Sequence, residues 1–258
     1  MIVKVEAVVL SRRPFRDTSL IATLLTREYG KMSVVAKGAR EPKGRMAAAF
    51  QPMNLVTAVV YRKEHRDLQL VTQCDLRRQL KYLQSDLAKM EAGLAVVELT
   101  SAATHGAEEH IRLYDLVART LEVIDGAEKR PRNALYVFEL RLLDLLGVCP
   151  DFGRCPRCGN TVDSVPEGGG ALLDTGRGVL CHRCSREAVG IADMTIQVLK
   201  VLQYLQKAGD PEGALTLDMP APLEERVAAA LRRTLHHHLE WLSPLRSQRV
   251  FESLRGDM

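Results

Sequence analysis

Over the first 78 residues, apolar and polar positions alternate in short runs, the period of half-buried strands. Val3, Val5, Ala7 and Val9 alternate with Lys4, Glu6 and Val8 until Arg12-Arg13-Pro14 breaks the run. Residues 19–25 make a second run, and Tyr29-Gly30-Lys31 turns it into a third at 32–36. Residues 55–61 and 68–72 are the fourth and fifth. Five short strands separated by turn residues predict a small closed barrel, and the five-stranded OB-fold fits this length. From about residue 79 the period lengthens to three and four. Leu87, Met90, Leu94 and Val97 form one stripe. Ile111, Tyr114, Val117, Leu121 and Ile124 form a second, and Leu135, Phe138, Leu142, Leu145 and Leu146 a third. These predict helices with one buried face, stopped by Gly126 and Gly147 and, for the third, started by Pro131. The helical period returns at Ile196, Leu199, Leu202 and Leu205, and again over residues 221–242. The fold class is therefore α+β. An OB-fold barrel occupies residues 1–79, a helical domain residues 80–258, and an insert of different character falls at about 150–188.

That insert carries the chemistry. Cys155-Pro156-Arg157-Cys158 is answered by Cys181-His182-Arg183-Cys184, with 22 residues between Cys158 and Cys181. Two residues between cysteines let both thiolates reach one ion while the backbone N–H groups point at the sulfurs. Two such pairs supply the four soft ligands that tetrahedral Zn²⁺ takes in a closed, structural site. Turns at 166–170 and 175–178 fit short strands between the pairs, so a zinc ribbon is expected. Two disulfides do not suit a chain whose start lacks a signal-peptide pattern. A redox dithiol needs one pair, not two matched ones. Cys149 and Cys74 read as packing residues, and His236-His237-His238 cannot converge on one ion because consecutive helical positions point about 100° apart.

Charge changes the picture only once it is divided. Residues 1–80 hold 15 Lys and Arg against 7 Asp and Glu, and the remainder holds 21 against 25. The positive charge falls at strand joints: Arg12, Arg13 and Arg16 after the first strand, Lys37, Arg40, Lys43 and Arg45 in the long loop, and Arg62, Lys63 and Arg66 in the fourth turn. Cations on loops match a phosphate backbone, so these ten are the candidate nucleic-acid contacts. Aromatics for stacking are few: Phe15, Tyr29, Phe50 and Tyr61, with Phe50 and Tyr29 better read as core. A P-loop reading of residues 37–45 fails because Arg45, not Lys then Ser/Thr, follows Gly44. A zinc deaminase would need an H-x-E ahead of P-C-x-x-C, which is missing. A scaffold whose barrel binds protein stays open, and oligonucleotide binding would distinguish it. No apolar run approaches the length of a membrane span, so no membrane partner and a cytoplasmic location are expected.

The chain resembles the RecO family of bacterial recombination mediators. The likeness rests on residues 7–20, AVVLSRRPFRDTSL, continuing through Thr26, Gly30, Ala36-Lys37-Gly38-Ala39-Arg40 and Gln51-Pro52. It also rests on Phe138-Glu139-Leu140, Leu142-Leu143, Leu146-Gly147 and Pro244-Leu245-Arg246-Ser247. The resemblance implies a non-enzymatic protein that binds single- and double-stranded DNA and anneals strands coated with single-strand binding protein (SSB). With RecR it implies help in loading RecA, in a nucleoid-associated setting. Of the basic residues, Arg13, Lys37 and Arg40 lie on the family pattern. Two departures matter. Some members lack the four cysteines, so the metal braces this chain rather than serving the shared function. The family also places an arginine just ahead of Phe-Glu-Leu for the SSB tail, where this chain has Tyr136 and Val137. Arg132 or Arg141 is the expected substitute.

Overall fold

The computed structural model describes residues 1–41, 46–104, 111–162, 171–174, 177–185, 193–239 and 247. Lys43, Arg45 and the turns at 166–170 and 175–176 lie outside the described residues. The chain forms two compact units, Met1–Arg132 with Pro244–Met258, and Asn133–Ser243. The helices expected at 87–97 and 111–124 thus group with the barrel.

In the first unit β1 (Ile2–Phe15), β2 (Ser19–Thr26), β3 (Gly30–Ala36), the short helix α1 (Met46–Ala49), β4 (Leu55–Tyr61) and β5 (Leu68–Arg78) build a closed barrel. Its strand order is β1-β2-β3-β5-β4, the OB-like topology. Alternation sends Val5, Ala7, Val9, Leu24, Val34, Val56, Ala58 and Val60 inward, where they pack with Phe50. β1 does not stop at Arg12-Arg13-Pro14 as expected. A bulge between Val9 and Ser11 bends it, and it continues to Phe15, paired with β2. β4 pairs only with Ile2–Val8. The far half of β1 therefore has a partner on one side alone, which is where a sheet tolerates proline.

α2 (Leu87–Ala103) and α3 (Ile111–Gly126) follow. Asp86 caps α2 by accepting from the Lys89 amide. The expected stripe holds only in part: Val97 is buried and Met90 and Leu94 are half-buried, but Leu87 is exposed, and the buried face extends further. It is a run of small and branched residues, Ala92, Gly93, Ala95, Val96 and Leu99. Gly93 explains the choice: a Cβ there would lie 2.7 Å from the Met53 sulfur. Lys31 closes the other end of α2, donating from Nζ to the Ser101 and Thr104 carbonyls at 2.7 and 3.2 Å.

The second unit takes most of α4 (Pro131–Leu145), β6 (Ala171–Asp174), β7 (Gly178–Val179), the helical turn α5 (His182–Ser185) and β8 (Asp193–Met194). α6 (Ile196–Ala208), a 3₁₀ turn (Pro211–Ala214) and α7 (Ala221–His238) complete it. One core runs through it: Tyr136, Val137 and Leu140 of α4, Phe152, Val162, Val179 and Leu180 around the cysteines, and Leu199, Leu202, Leu205, Val227 and Leu231 of α6 and α7. The cysteine module thus shares the core of the helices around it, as an insert must. Gly147, at φ +73°, ends the turn after α4.

Candidate metal centre and nucleic-acid interface

Each cysteine pair sits on a tight backbone turn. The Cys155 amide donates to the Asn160 carbonyl, and the Gly159 amide returns to the Cys155 carbonyl, both at 2.8 Å. Gly159 holds φ +73°, a value that favours glycine. The second pair opens α5, with the Ser185 amide donating to the Cys181 carbonyl at 2.9 Å. Gly178 locks the two halves together through a bridge to Asp151. A side chain is excluded there twice over: φ is +128°, and a Cβ would run into the Asp151 carbonyl oxygen.

These turns bring the four expected ligands Cys155, Cys158, Cys181 and Cys184 together, all four sulfurs within 4.8 Å of one another. Sulfurs ~2.3 Å from a central ion form a tetrahedron with edges of about 3.8 Å. Cys158 and Cys181 stand 3.6 Å apart, so the set fits a metal ion. Burial pushes the Cys155 thiol up, but the backbone N–H groups of Cys181, Cys158 and Arg157 outweigh it and bring the thiol down to about 6. Cys184 moves the other way, to about 12, through burial and through hydrogen bonds to the other sulfurs. A cation entering the cluster displaces the thiol protons that remain. Cys149 stays outside the cluster, with Gln206 donating to its sulfur at 3.5 Å.

Two glutamines that sequence reasoning missed fasten the module to α6. Gln203 Nε2 donates to the Phe152 and Val162 carbonyls, and Gln206 Nε2 to the Pro150 carbonyl. No local pattern marks them, because their partners lie about 40 to 56 residues away.

The candidate DNA contacts split into two groups. Arg12, Arg13 and Arg16 lie at the β1–β2 tip and Lys37 and Arg40 in the loop after β3, all exposed. The two loops are tied together: the Arg40 amide donates to the Thr18 carbonyl at 2.8 Å and its guanidinium to the Arg16 carbonyl at 3.4 Å. Arg12 is steadied by the Ala47 carbonyl at 2.9 Å. Arg62, Lys63 and Arg66 are elsewhere. Ile2 pairs with Tyr61, so the β4–β5 loop lies beyond the start of β1, while the tip lies beyond its end. Buried Gln69 braces that loop, accepting from the Lys63 amide and donating to the Lys63 and Arg66 carbonyls. Other cations of the first unit are engaged in folding: Arg27 with Asp115, Arg77 with Glu6 and Tyr114, Arg78 with Glu122.

Arg132 and Arg141 do not come together. They are nine positions apart on α4, two and a half turns, and so on opposite sides of the helix. Arg132 contacts Glu91 at 2.7 Å, and Arg141 donates to the Gly209 and Gln206 carbonyls at 3.2 and 3.4 Å.

Comparison with known proteins places both regions in one family. Residues 1–80 match the model "Recombination protein O N terminal" and residues 84–249 match "Recombination protein O C terminal". The chain is similar to the DNA repair protein RecO of Chlorobaculum parvum, 40% identical over 60% of this chain and 60% of the relative. It is 27% identical to that of Chloroherpeton thalassium over 98% of this chain and 99% of the relative. It is 30% identical to that of Symbiobacterium thermophilum over 95% and 98%. Among the described residues no helix is long and apolar enough to cross a membrane.

Proposed function

Because the chain belongs to the RecO family of DNA repair proteins, we propose that it is a DNA-binding recombination mediator that anneals complementary strands coated with SSB. In this reading it works with RecR toward loading RecA, in the cytoplasm at the nucleoid, and without covalent chemistry. The observation that carries it is the tie between the β1–β2 tip and the loop after β3, which gathers five exposed cations. Annealing brings two polyanions together, and fixed cations lower that repulsion by displacing counterions. Lys43 and Arg45, the next two cations in the sequence, lie outside the described residues. The metal is zinc on this reading, since four thiolates in a closed set suit it and leave no position for a catalytic water.

The test is annealing of two SSB-coated complementary oligonucleotides, followed by fluorescence across a salt series. Wild type should accelerate it, and acceleration should fall steeply with salt. An Arg13→Ala/Lys37→Ala/Arg40→Ala variant should lose most of it, with the salt slope of single-strand binding shallower by about two. A folded wild type that leaves the annealing rate unchanged contradicts the mediator reading.

For the acidic SSB tail, opposite placement means that Arg132 and Arg141 act singly. A peptide terminus needs a cation beside an apolar pocket. Arg132→Ala and Arg141→Ala, titrated separately with the tail peptide, should differ: one weakens binding several-fold and the other leaves it alone. Unchanged affinity in both moves the tail site elsewhere.

A further inference from the structure

The barrel carries an apolar belt on its outer face that joins the two basic loops, and the strand register defines it. Ile2 of β1 stands opposite Tyr61 of β4. Tyr61 stands opposite Leu70 of β5. Leu70 pairs with Val35 of β3, Val35 with Ile21 of β2, and Ile21 with Arg13 in the far half of β1. Paired residues point to the same face of a sheet. The neighbours of these residues, Val60, Val71, Val34, Leu20 and Ala22, fill the barrel interior, so the belt points outward. Its exposure rises along its length. Ile21 is 9% exposed, Val35 and Leu70 are half-buried, Tyr61 is 44% and Ile2 58% exposed. Single exposed apolar residues need no explanation, but Ile2, Tyr61, Leu70 and Val35, on four adjacent strands, make a contiguous patch that ends against buried Ile21 beside Arg13.

We propose that this belt is a base-stacking track for single-stranded nucleic acid, running from Tyr61 to the Arg13 tip, with Tyr61 as its aromatic platform. The inference rests on the DNA-binding reading above and deepens it by naming the face. Charge at the Arg13 end argues for this occupant. At the Arg13 end the track enters the tied cluster of Arg12, Arg13, Arg16, Lys37 and Arg40, with Asp17 and Glu41 as the acids there. At the Tyr61 end Lys63 and Arg66 are exposed, and Arg62 lies over the Tyr29 ring at 4.6 Å and 3.8 Å from Glu64. Glu64 and Asp67 leave that loop an excess of only one positive charge. Phosphate attraction alone is thus weak at this end, and a stacked base there supplies what charge does not. Four interstrand steps of ~4.8 Å make the track about 19 Å long, which suits a strand of a few nucleotides. A duplex has no unpaired base to offer Tyr61, so the belt discriminates single strands from double.

The experiment measures anisotropy of a labelled 12-nucleotide single strand and a labelled 12-base-pair duplex with the full chain. Tyr61→Ala should weaken single-strand binding about tenfold and duplex binding less than twofold, while Tyr61→Phe, which keeps the ring, should restore it. The Arg13→Ala/Lys37→Ala/Arg40→Ala variant should weaken both. Tyr61 is half in solvent, so the Ala variant keeps its fold, and a melt verifies that. Single-strand affinity unchanged in Tyr61→Ala but lowered in the triple variant overturns the track and leaves phosphate contact by the tip standing. The belt is then a surface for a protein. Equal losses for single strand and duplex in Tyr61→Ala overturn it too. A wild type that binds neither oligonucleotide overturns the DNA-binding reading itself.

Discussion

On the zinc reading proposed above, stripping the metal from Cys155, Cys158, Cys181 and Cys184 is expected to unfold the segment around the cysteines and to loosen α6 and α7, while the barrel stays folded. The sizes of the terms decide this. A structural zinc site contributes about 10–16 kcal/mol of apparent binding energy in small metal-folded modules. A whole domain is stable by only about 5–15 kcal/mol. Apart from the shared core and the two glutamines of α6, the module has little regular structure of its own. β7 is two residues long and α5 four, and the turns that aim the sulfurs are short backbone loops, not long elements. Without the ion, four thiols within 4.8 Å have no common partner, and Cys155 and Cys184 stay buried without one. Phe152, Val162, Val179 and Leu180 are buried in the same core as α6 and α7, so the loss spreads to those helices. The barrel has its own core. A strong chelator, with release of the ion followed by a colorimetric dye, should abolish slow hydrogen exchange at these four residues. Exchange in β1–β5 and affinity for single-stranded DNA should be nearly unaffected. Cys181→Ser should act in the same direction. A metal-free protein with full protection around Phe152 would show that the cysteines are not a staple.

Local signals in the sequence were enough for the parts whose causes are local. The period of two gave five strands, the period of three and four gave the helices, and C-x2-C spacing picked out four cysteines that come together, because each of these depends on residues within one turn of each other. Features set by pairing over long separations were hidden. The belt from Ile2 through Tyr61, Leu70, Val35 and Ile21 to Arg13 exists only once the register of five strands is known. The same is true of the split between the tip cations and Arg62, Lys63 and Arg66. Pro14 read as a strand breaker because the one-sided pairing that tolerates it is a tertiary fact. On α2 the large residues drew attention, yet the helix packs by its small ones, since Gly93 lets it approach Met53 and Leu83. The opposite placement of Arg132 and Arg141 was the exception: 100° per residue predicts it without any coordinates.

Glu139→Gln is expected to make the protein more stable at neutral pH, by about 2–3 kcal/mol, and to remove much of its sensitivity to alkali. Glu139 lies in the middle of α4 and is 3% exposed. Burial pushes its carboxyl up to about 8, partly offset by the positive charge of Arg232 on α7. A carboxyl raised in the folded state costs nothing below its unfolded value, near 4.5, because both states are protonated there. As pH rises from there toward 8, the unfolded chain gives up its proton and the folded one does not. Stability therefore falls by about 1.4 kcal/mol per pH unit through that window and levels off above it. The neutral amide has the same shape and no proton to lose. Thermal melts of both proteins should nearly coincide at pH 4.5 and diverge by several degrees at pH 7.5, with the variant higher. A constant difference across this range would mean that Glu139 is ionised in the fold and that Arg232 holds it as a salt bridge. If the melts diverge as expected, the acid at this position weakens the second unit under working conditions. Its presence between Phe138 and Leu140 then has to be explained by something other than stability.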